Sequence, residues 1–159
     1  MKVELHALSA GEWGKAAAVG VATGVVLAVL NVIAMKAHLS PLPQPLGLAF
    51  ADTLLGRALP LPVGLFFHLA WVAFFSIAYV ALYRDALTLA RALLLAAALW
   101  LVALAVFCPM VGWGFFGVAV SPRVILPITV SHVLFALILW ALCAAAFREV
   151  PVRAYDRAS

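Results

Sequence analysis

The fold class follows most directly from one stretch of the sequence, "LPVGLFFHLAWVAFFSIAYVALY", residues 61–83. No Asp, Glu, Lys or Arg occurs from Ala58 to Tyr83. An α-helix needs about 20 such residues to cross a hydrocarbon core of about 30 Å. Within lipid every backbone N–H and C=O must be satisfied inside the segment, and the polar/apolar alternation of a membrane strand is absent. The stretch therefore predicts a membrane-spanning helix.

Three further stretches lack charged residues: Ala16–Met35, Ala92–Pro122 and Val124–Phe147. The chain has 159 residues, of which 68% are hydrophobic and only 10% are charged, whereas about a quarter is charged in a soluble domain. The sequence thus predicts an all-α integral membrane four-helix bundle that occupies residues 1–159 as a single domain. The predicted spans are residues 15–36, 60–83, 91–110 and 123–147.

The sequence predicts distinct local structure in two outer loops. Three prolines between residues 41 and 45 hold the chain extended, and residues 45–58 then predict a short interfacial helix with Pro45 in its first turn. After the third span, "CPMVGWGFFG" (108–117) predicts an irregular outer cap, with Trp113, Phe115 and Phe116 as an aromatic anchor at the interface.

The chain has a net charge of +4, and its basic residues are distributed unevenly between the two predicted sides of the membrane. Lys36, Arg57 and Arg123 fall on one predicted side, and the other side holds Lys2, Lys15, Arg84, Arg91, Arg148, Arg153 and Arg157. By the positive-inside rule this asymmetry predicts a multi-pass protein of the bacterial inner (plasma) membrane with both termini cytoplasmic. The basic residues are thereby explained by topology, so the lipid bilayer is the expected partner and nucleic acid is not.

Gly20 and Gly24 stand four residues apart in the first span. Small residues at this spacing let two helix backbones approach closely. The face that they share is expected to pack on a neighbour, which is either a helix of the same chain, a second copy in a homo-oligomer, or another membrane protein.

Four strongly polar residues lie within the spans: Asn31, His68, Tyr79 and His132. His68 and His132 each lie eight residues inside the predicted outer end of their span, about 12 Å at 1.5 Å per residue. Asn31 lies at a similar depth in the first span. Polar side chains in membrane helices usually turn inward, so Asn31, His68 and His132 are expected to meet in the bundle interior.

This polar cluster has three interpretations. It forms a hydrogen-bonded clasp between helices, or His68 and His132 bind a transition metal or the iron of a b-type haem, with Gly64 and Ala136 making room. The third interpretation is a proton or quinone site, with Tyr79 continuing a hydrogen-bonding line below His68.

Catalytic patterns are not found. Ser131 precedes His132, but adjacent helical residues point about 100° apart, and a serine protease needs the pair on different elements. The spans contain no carboxylate, and the chain has no HExxH motif or phosphate-binding loop. Cys108 and Cys143 are expected at opposite depths, too far apart for a disulfide.

From the second span onward, "LFFHLAW", "CPMVGWGFFG" and "VSHVLFA" resemble a group of small, uncharacterised bacterial four-helix inner-membrane proteins. These proteins similarly carry a histidine in the second span, a Pro-x-x-Gly-x-Gly-Phe segment after the third and a histidine in the fourth. The resemblance covers roughly residues 60–147. It implies the four-helix architecture and draws attention to His68 and His132, but it implies no activity.

As a function, the sequence predicts a non-enzymatic accessory or interaction component of the membrane. The first alternative is a haem-, metal- or quinone-binding membrane protein that uses His68 and His132. The second alternative is a small oligomeric transporter.

Overall fold

A computed structural model describes residues 8–147 of the chain. Within that range it is all helical, and four helices are long and apolar enough to cross a membrane, which confirms the predicted fold class. The long helices are α1 (Ala10–Lys36), α3 (Leu61–Tyr83), α4 (Leu89–Met110) and α5 (Ile125–Ala146), and a shorter helix, α2 (Leu46–Leu55), lies between the first two.

Helix α1 begins five residues before the predicted span because its start is capped. The hydroxyl of Ser9 accepts a hydrogen bond from the backbone N–H of Glu12, and the Glu12 carboxylate accepts one from the N–H of Ser9. This reciprocal capping box satisfies two N–H groups at the start of the helix. At the other end, His38 adopts a left-handed conformation with φ of 57° and is exposed.

The Gly20 and Gly24 face of α1 packs against α3 of the same chain. A Cβ atom added at Gly20 would lie 2.7 Å from the Cα of Ala73, and one added at Gly24 would lie 2.9 Å from the side chain of Leu69. The two helices therefore approach so closely that only glycine fits at these positions. Of the neighbours left open by the sequence, the structure shows the one within the chain.

The helices are not arranged as a simple ring of four. Helix α1 packs on α3 and α5, and α4 packs on α5, but α3 and α4 have little contact with each other. Helix α2 packs along α3 instead, and a Cβ atom at Gly64 would lie only 2.6 Å from that of Leu48. The missing side chain of Gly64 thus makes room for α2.

Helix α4 widens in its second half. Residues Ala103–Phe107 form a π-helical turn, in which the N–H of Cys108 donates to the carbonyl of Ala103. Pro109 follows, and its ring would clash with the carbonyl four residues earlier in a regular α-helix. The wider turn relieves this clash and lets the helix continue to Met110.

The cap after α4 is irregular, as predicted, but its tryptophan is not an anchor at the surface. Trp113 is only 6% exposed and packs in a core with Leu104, Cys108 and Val124. Phe115, in contrast, is 61% exposed. The glycines that flank Trp113 turn the chain back over the end of the bundle, and this turn buries the indole.

The bundle has two distinct ends. The α2 end carries α2 and the cap, and the termini end carries the start of α1, the turn between α3 and α4, and the end of α5. At the termini end Arg84 forms an ion pair with Glu12 and lies over the ring of Phe147. Four of the basic residues that are predicted to lie on the side of the termini fall outside the described residues: Lys2, Arg148, Arg153 and Arg157.

Candidate functional site

A cavity of about 520 Å³ lies in the half of the bundle nearer the α2 end. All four long helices and α2 contribute to its wall. Its size falls within the range of about 300–1,000 Å³ that is typical of small-molecule sites. Helices α3 and α4 have little backbone contact with each other, and aromatic side chains of α2, α3 and α4 meet at the cavity instead.

Most of the cavity wall is apolar, and much of it is aromatic. Phe50 of α2 makes edge-to-face contacts with Phe67 and Phe107, at ring-centroid distances of 6.0 and 4.9 Å. Trp71 continues this series with contacts to Phe107 at 5.1 Å and to Phe75 at 4.9 Å. These five rings, which we call the aromatic wall, all line the cavity. Edge-to-face packing gives them fixed positions.

His68 lines the cavity from α3 and bonds to α1. Its Nε2 lies 3.1 Å from the carbonyl oxygen of Gly24. A carbonyl oxygen only accepts hydrogen bonds, so Nε2 carries the proton and donates it. A charged imidazolium is costly in hydrocarbon, so the ring is neutral and its Nδ1 is an acceptor.

His132 lines the same cavity from α5, and its hydrogen bond stays within its own helix. Its Nδ1 lies 2.8 Å from the carbonyl oxygen of Ile128, one turn earlier. By the same reasoning Nδ1 carries the proton, which leaves Nε2 as an acceptor. The two histidines therefore offer opposite ring nitrogens to a third group.

Asn31 and Ser131 join α1 to α5 at the cavity. The hydroxyl of Ser131 donates to the side-chain oxygen of Asn31 at 2.8 Å, and both residues line the cavity. This bond uses the carbonyl part of the Asn31 side chain, and its amide group keeps two N–H donors.

Within residues 8–147, three polar groups of these side chains have no hydrogen-bond partner: His68 Nδ1, His132 Nε2 and the amide nitrogen of Asn31. Among residues 8–147, no fully buried side-chain nitrogen or oxygen lacks a partner. The three groups are therefore accessible and not sealed in the core. Two imidazole acceptors and the two N–H donors of the Asn31 amide are available to a molecule at this site, whose lining also includes Lys36 and Ser40.

The structure places Asn31, His68 and His132 at one cavity, although no hydrogen bond connects them to one another. Tyr79 lies elsewhere: it is fully buried, and its hydroxyl donates to the carbonyl oxygen of Thr88 at 2.9 Å, toward the termini end. It does not line the cavity. The hydrogen-bonding line from His68 to Tyr79 is therefore not formed, because the Tyr79 hydroxyl has its partner in the turn between α3 and α4.

The histidine pair does not fit the two axial positions of a haem. An iron-binding histidine usually donates Nδ1–H to a carbonyl and binds the metal through Nε2. His132 has this arrangement, but His68 has the reverse one: its Nε2 bonds to Gly24, so only its Nδ1 is open to a ligand. For other metals, no group of three or more His, Cys, Asp or Glu side chains comes together within residues 8–147.

Sequence reasoning missed two parts of the site. The bond from Ser131 to another helix was not predicted, because a helical hydroxyl usually bonds to a carbonyl of its own helix. Its position next to a polar residue at the depth of Asn31 was the available signal. The contribution of Phe50 from α2 had no signal, since residues 45–58 were expected to lie in the interface.

No protein-family model matches the chain, and neither a curated protein nor a solved structure matches it.

Proposed function

We propose that this multi-pass membrane protein binds a lipid-soluble small molecule in the cavity near the α2 end. The observation that carries this proposal is the combination of an apolar cavity of about 520 Å³ with three accessible, unpartnered polar groups. An apolar site with a few convergent polar groups is the usual form of a small-molecule site. In this role the protein is a non-enzymatic accessory component that holds or presents its ligand.

The route of entry supports a ligand that is dissolved in the bilayer. The cavity wall includes buried residues such as Leu27 and Val72, but also two residues inside the spans, Val29, which is 51% exposed, and Leu65, which is 41% exposed. The cavity therefore reaches the lipid-facing surface of the bundle. A molecule with an apolar tail can enter from the side and leave its tail among the lipid chains.

The clasp interpretation accounts for only part of the polar groups. The bond from His68 to Gly24 joins α1 to α3, and the bond from Ser131 to Asn31 joins α1 to α5. Both bonds stabilise the packing of these helices. His132, however, bonds only within α5, so it holds no two helices together. A ligand gives its free nitrogen a role that the clasp does not.

We also propose that the protein lies in a bacterial inner membrane with both termini cytoplasmic, so that the cavity lies in the outer leaflet. The distribution of seven basic residues against three supports this orientation. A C-terminal alkaline phosphatase fusion should then be inactive in cells, and a C-terminal fluorescent-protein fusion should be bright. The opposite pair of results would reverse the orientation.

Photolabelling tests the binding function. A diazirine-bearing long-chain alcohol, irradiated with the protein in micelles, should label residues of the cavity wall more than exposed residues elsewhere on the helices. Ala34→Phe fills the cavity from α1 and should lower the labelling several-fold, because Ala34 lines it. Ala22→Phe adds the same ring at an exposed position outside the cavity and is the matched control. Equal labelling of cavity and lipid-facing residues would contradict the proposal.

A further inference from the structure

We infer that the cavity recognises a quinol, an aromatic ring with two hydroxyl groups and an apolar tail, and that it binds this reduced form more tightly than the corresponding quinone. The inference rests on the function proposed above and specifies its ligand. Three features of the cavity support it: the hydrogen-bonding groups, the aromatic wall and the opening to lipid.

The hydrogen-bonding groups favour a molecule that donates two hydrogen bonds. His68 Nδ1 and His132 Nε2 are both acceptors, because the other nitrogen of each ring donates to a backbone carbonyl. They lie on different helices, α3 and α5, and line the same cavity. A quinol has two hydroxyl groups on opposite sides of its ring, so each hydroxyl can donate to one imidazole.

The oxidised form does not match these groups. A quinone carries two carbonyl oxygens, which only accept hydrogen bonds, and they would face two imidazole nitrogens that also only accept. Protonating the histidines would change this, but a positive charge is costly in hydrocarbon. The amide of Asn31, and the side chains of Lys36 and Ser40, which also line the cavity, can donate to an oxygen of either form, so they do not distinguish the two forms. The preference for the quinol therefore comes from the two histidines.

The aromatic wall suits a planar ring. Phe50, Phe67, Trp71, Phe75 and Phe107 line the cavity and hold one another in edge-to-face contacts. His68 lies on the same helix as three of them, next to Phe67. A ring whose hydroxyl groups reach the histidines can therefore pack against preformed aromatic surface.

The opening of the cavity accommodates the tail. Val29 and Leu65 line the cavity and are exposed on the surface of the spanning helices, at 51% and 41%. A tail that leaves the cavity beside them remains in hydrocarbon, where it needs no further protein contact. Tail length is thus expected to change the affinity less than the ring substituents do.

The test compares three ligands with the same ring and a decyl tail: a benzoquinol, its benzoquinone and the dimethyl ether of the quinol. Binding is measured without oxygen, by equilibrium dialysis of the full chain in micelles. The ether keeps the ring and the tail but lacks both donors. We expect the quinol to bind roughly tenfold or more tightly than either of the others, because each of two buried acceptors otherwise loses a partner.

Two variants locate the preference. His132→Phe removes one acceptor without removing a bond between helices, and it should lower the quinol-to-ether ratio several-fold. Ser76→Ala removes a buried hydroxyl of α3 that bonds within its helix and does not line the cavity, so the ratio should not change.

The outcomes separate this inference from the proposed function. If the quinone or the ether binds as tightly as the quinol, the quinol inference fails and the binding function stands. The same conclusion follows if none of the three binds while the photoreactive alcohol still labels the cavity. If the alcohol fails to label the cavity as well, both proposals are wrong.

Discussion

His68 on α3 donates its Nε2 proton to the carbonyl oxygen of Gly24 on α1, 3.1 Å away. Gly24 is also the residue at which the two helices approach so closely that a side chain would collide with Leu69. The glycine thus has two functions in one contact, since the absence of its side chain brings the helices together and its carbonyl oxygen accepts the hydrogen bond. The polar cavity and the packing of α1 on α3 are therefore coupled.

Replacing His68 tests this coupling. His68→Phe keeps an aromatic ring but loses the hydrogen bond between α3 and α1, and we expect it to destabilise the bundle by about 1 kcal/mol, the usual range for such bonds in membranes. His68→Gln retains a donor and should recover part of the loss. Thermal unfolding in detergent micelles measures both. Ser76→Ala is the control, and a loss as large as that of His68→Phe would show that the bond between helices has no special role.

Glycines at two positions of α1 should respond oppositely to alanine. At Gly20 a Cβ atom would lie 2.7 Å from backbone of Ala73, so Gly20→Ala must push α1 and α3 apart and should cost about 2 kcal/mol or more. At Gly14 nothing lies within 4 Å, so Gly14→Ala should be neutral or stabilise the helix by up to about 1 kcal/mol. Unfolding midpoints of the two variants in the same detergent decide the matter. Equal effects would contradict the close approach.

The spanning helices were predictable because lipid leaves a charge-free stretch of this length almost no alternative to a helix. The start of α1 was not predicted at Ala10, since the capping box of Ser9 and Glu12 extends the helix into the polar lead. The widening of α4 before Pro109 also escaped prediction. A proline usually predicts a break in a helix, but here the helix accommodates Pro109 with a wider turn.

The candidate site was predictable in depth but not in its contacts. Counting residues from the helix ends placed Asn31, His68 and His132 at one level, and the structure has all three on one cavity. The sequence could not show which backbone carbonyl each histidine bonds to, because every helix residue has a carbonyl and the sequence does not distinguish them. Nor could it show that α2 packs on α3, which depends on the fit of Leu48 against Gly64.

The ion pair between Glu12 and Arg84 should make the stability depend on pH at the termini end. Glu12 precedes the charge-free stretch, in the first turn of α1. The N–H of Ser9 and, next, the Arg84 side chain lower the pKa of Glu12 from its ordinary 4.5 to about 2. A carboxyl whose pKa falls on folding stabilises the protein above its ordinary pKa, and this contribution is lost as the pH falls toward 2.

Two substitutions separate the causes of this pH dependence. Glu12→Gln should remove the part of the decline in unfolding temperature between pH 5 and 2 that Glu12 contributes. Arg84→Met should raise the pKa of Glu12 only in part, because the bond from Ser9 remains. Unfolding temperatures measured from pH 7 to pH 2 test this. A wild-type curve that coincides in shape with that of Glu12→Gln would contradict the prediction.

A double-mutant cycle at Asn31 and Ser131 separates packing from ligand binding. Ser131→Ala removes the bond between α5 and α1 but leaves the Asn31 amide, so it should cost about 0.5–1.5 kcal/mol of stability and change quinol affinity little. Asn31→Leu removes both the bond and the amide donor, and it should weaken quinol and quinone alike. The double variant should be no less stable than Asn31→Leu alone, because the bond is lost only once. Unfolding and dialysis on the four proteins give both quantities, and additive losses of stability would show that the two side chains act independently.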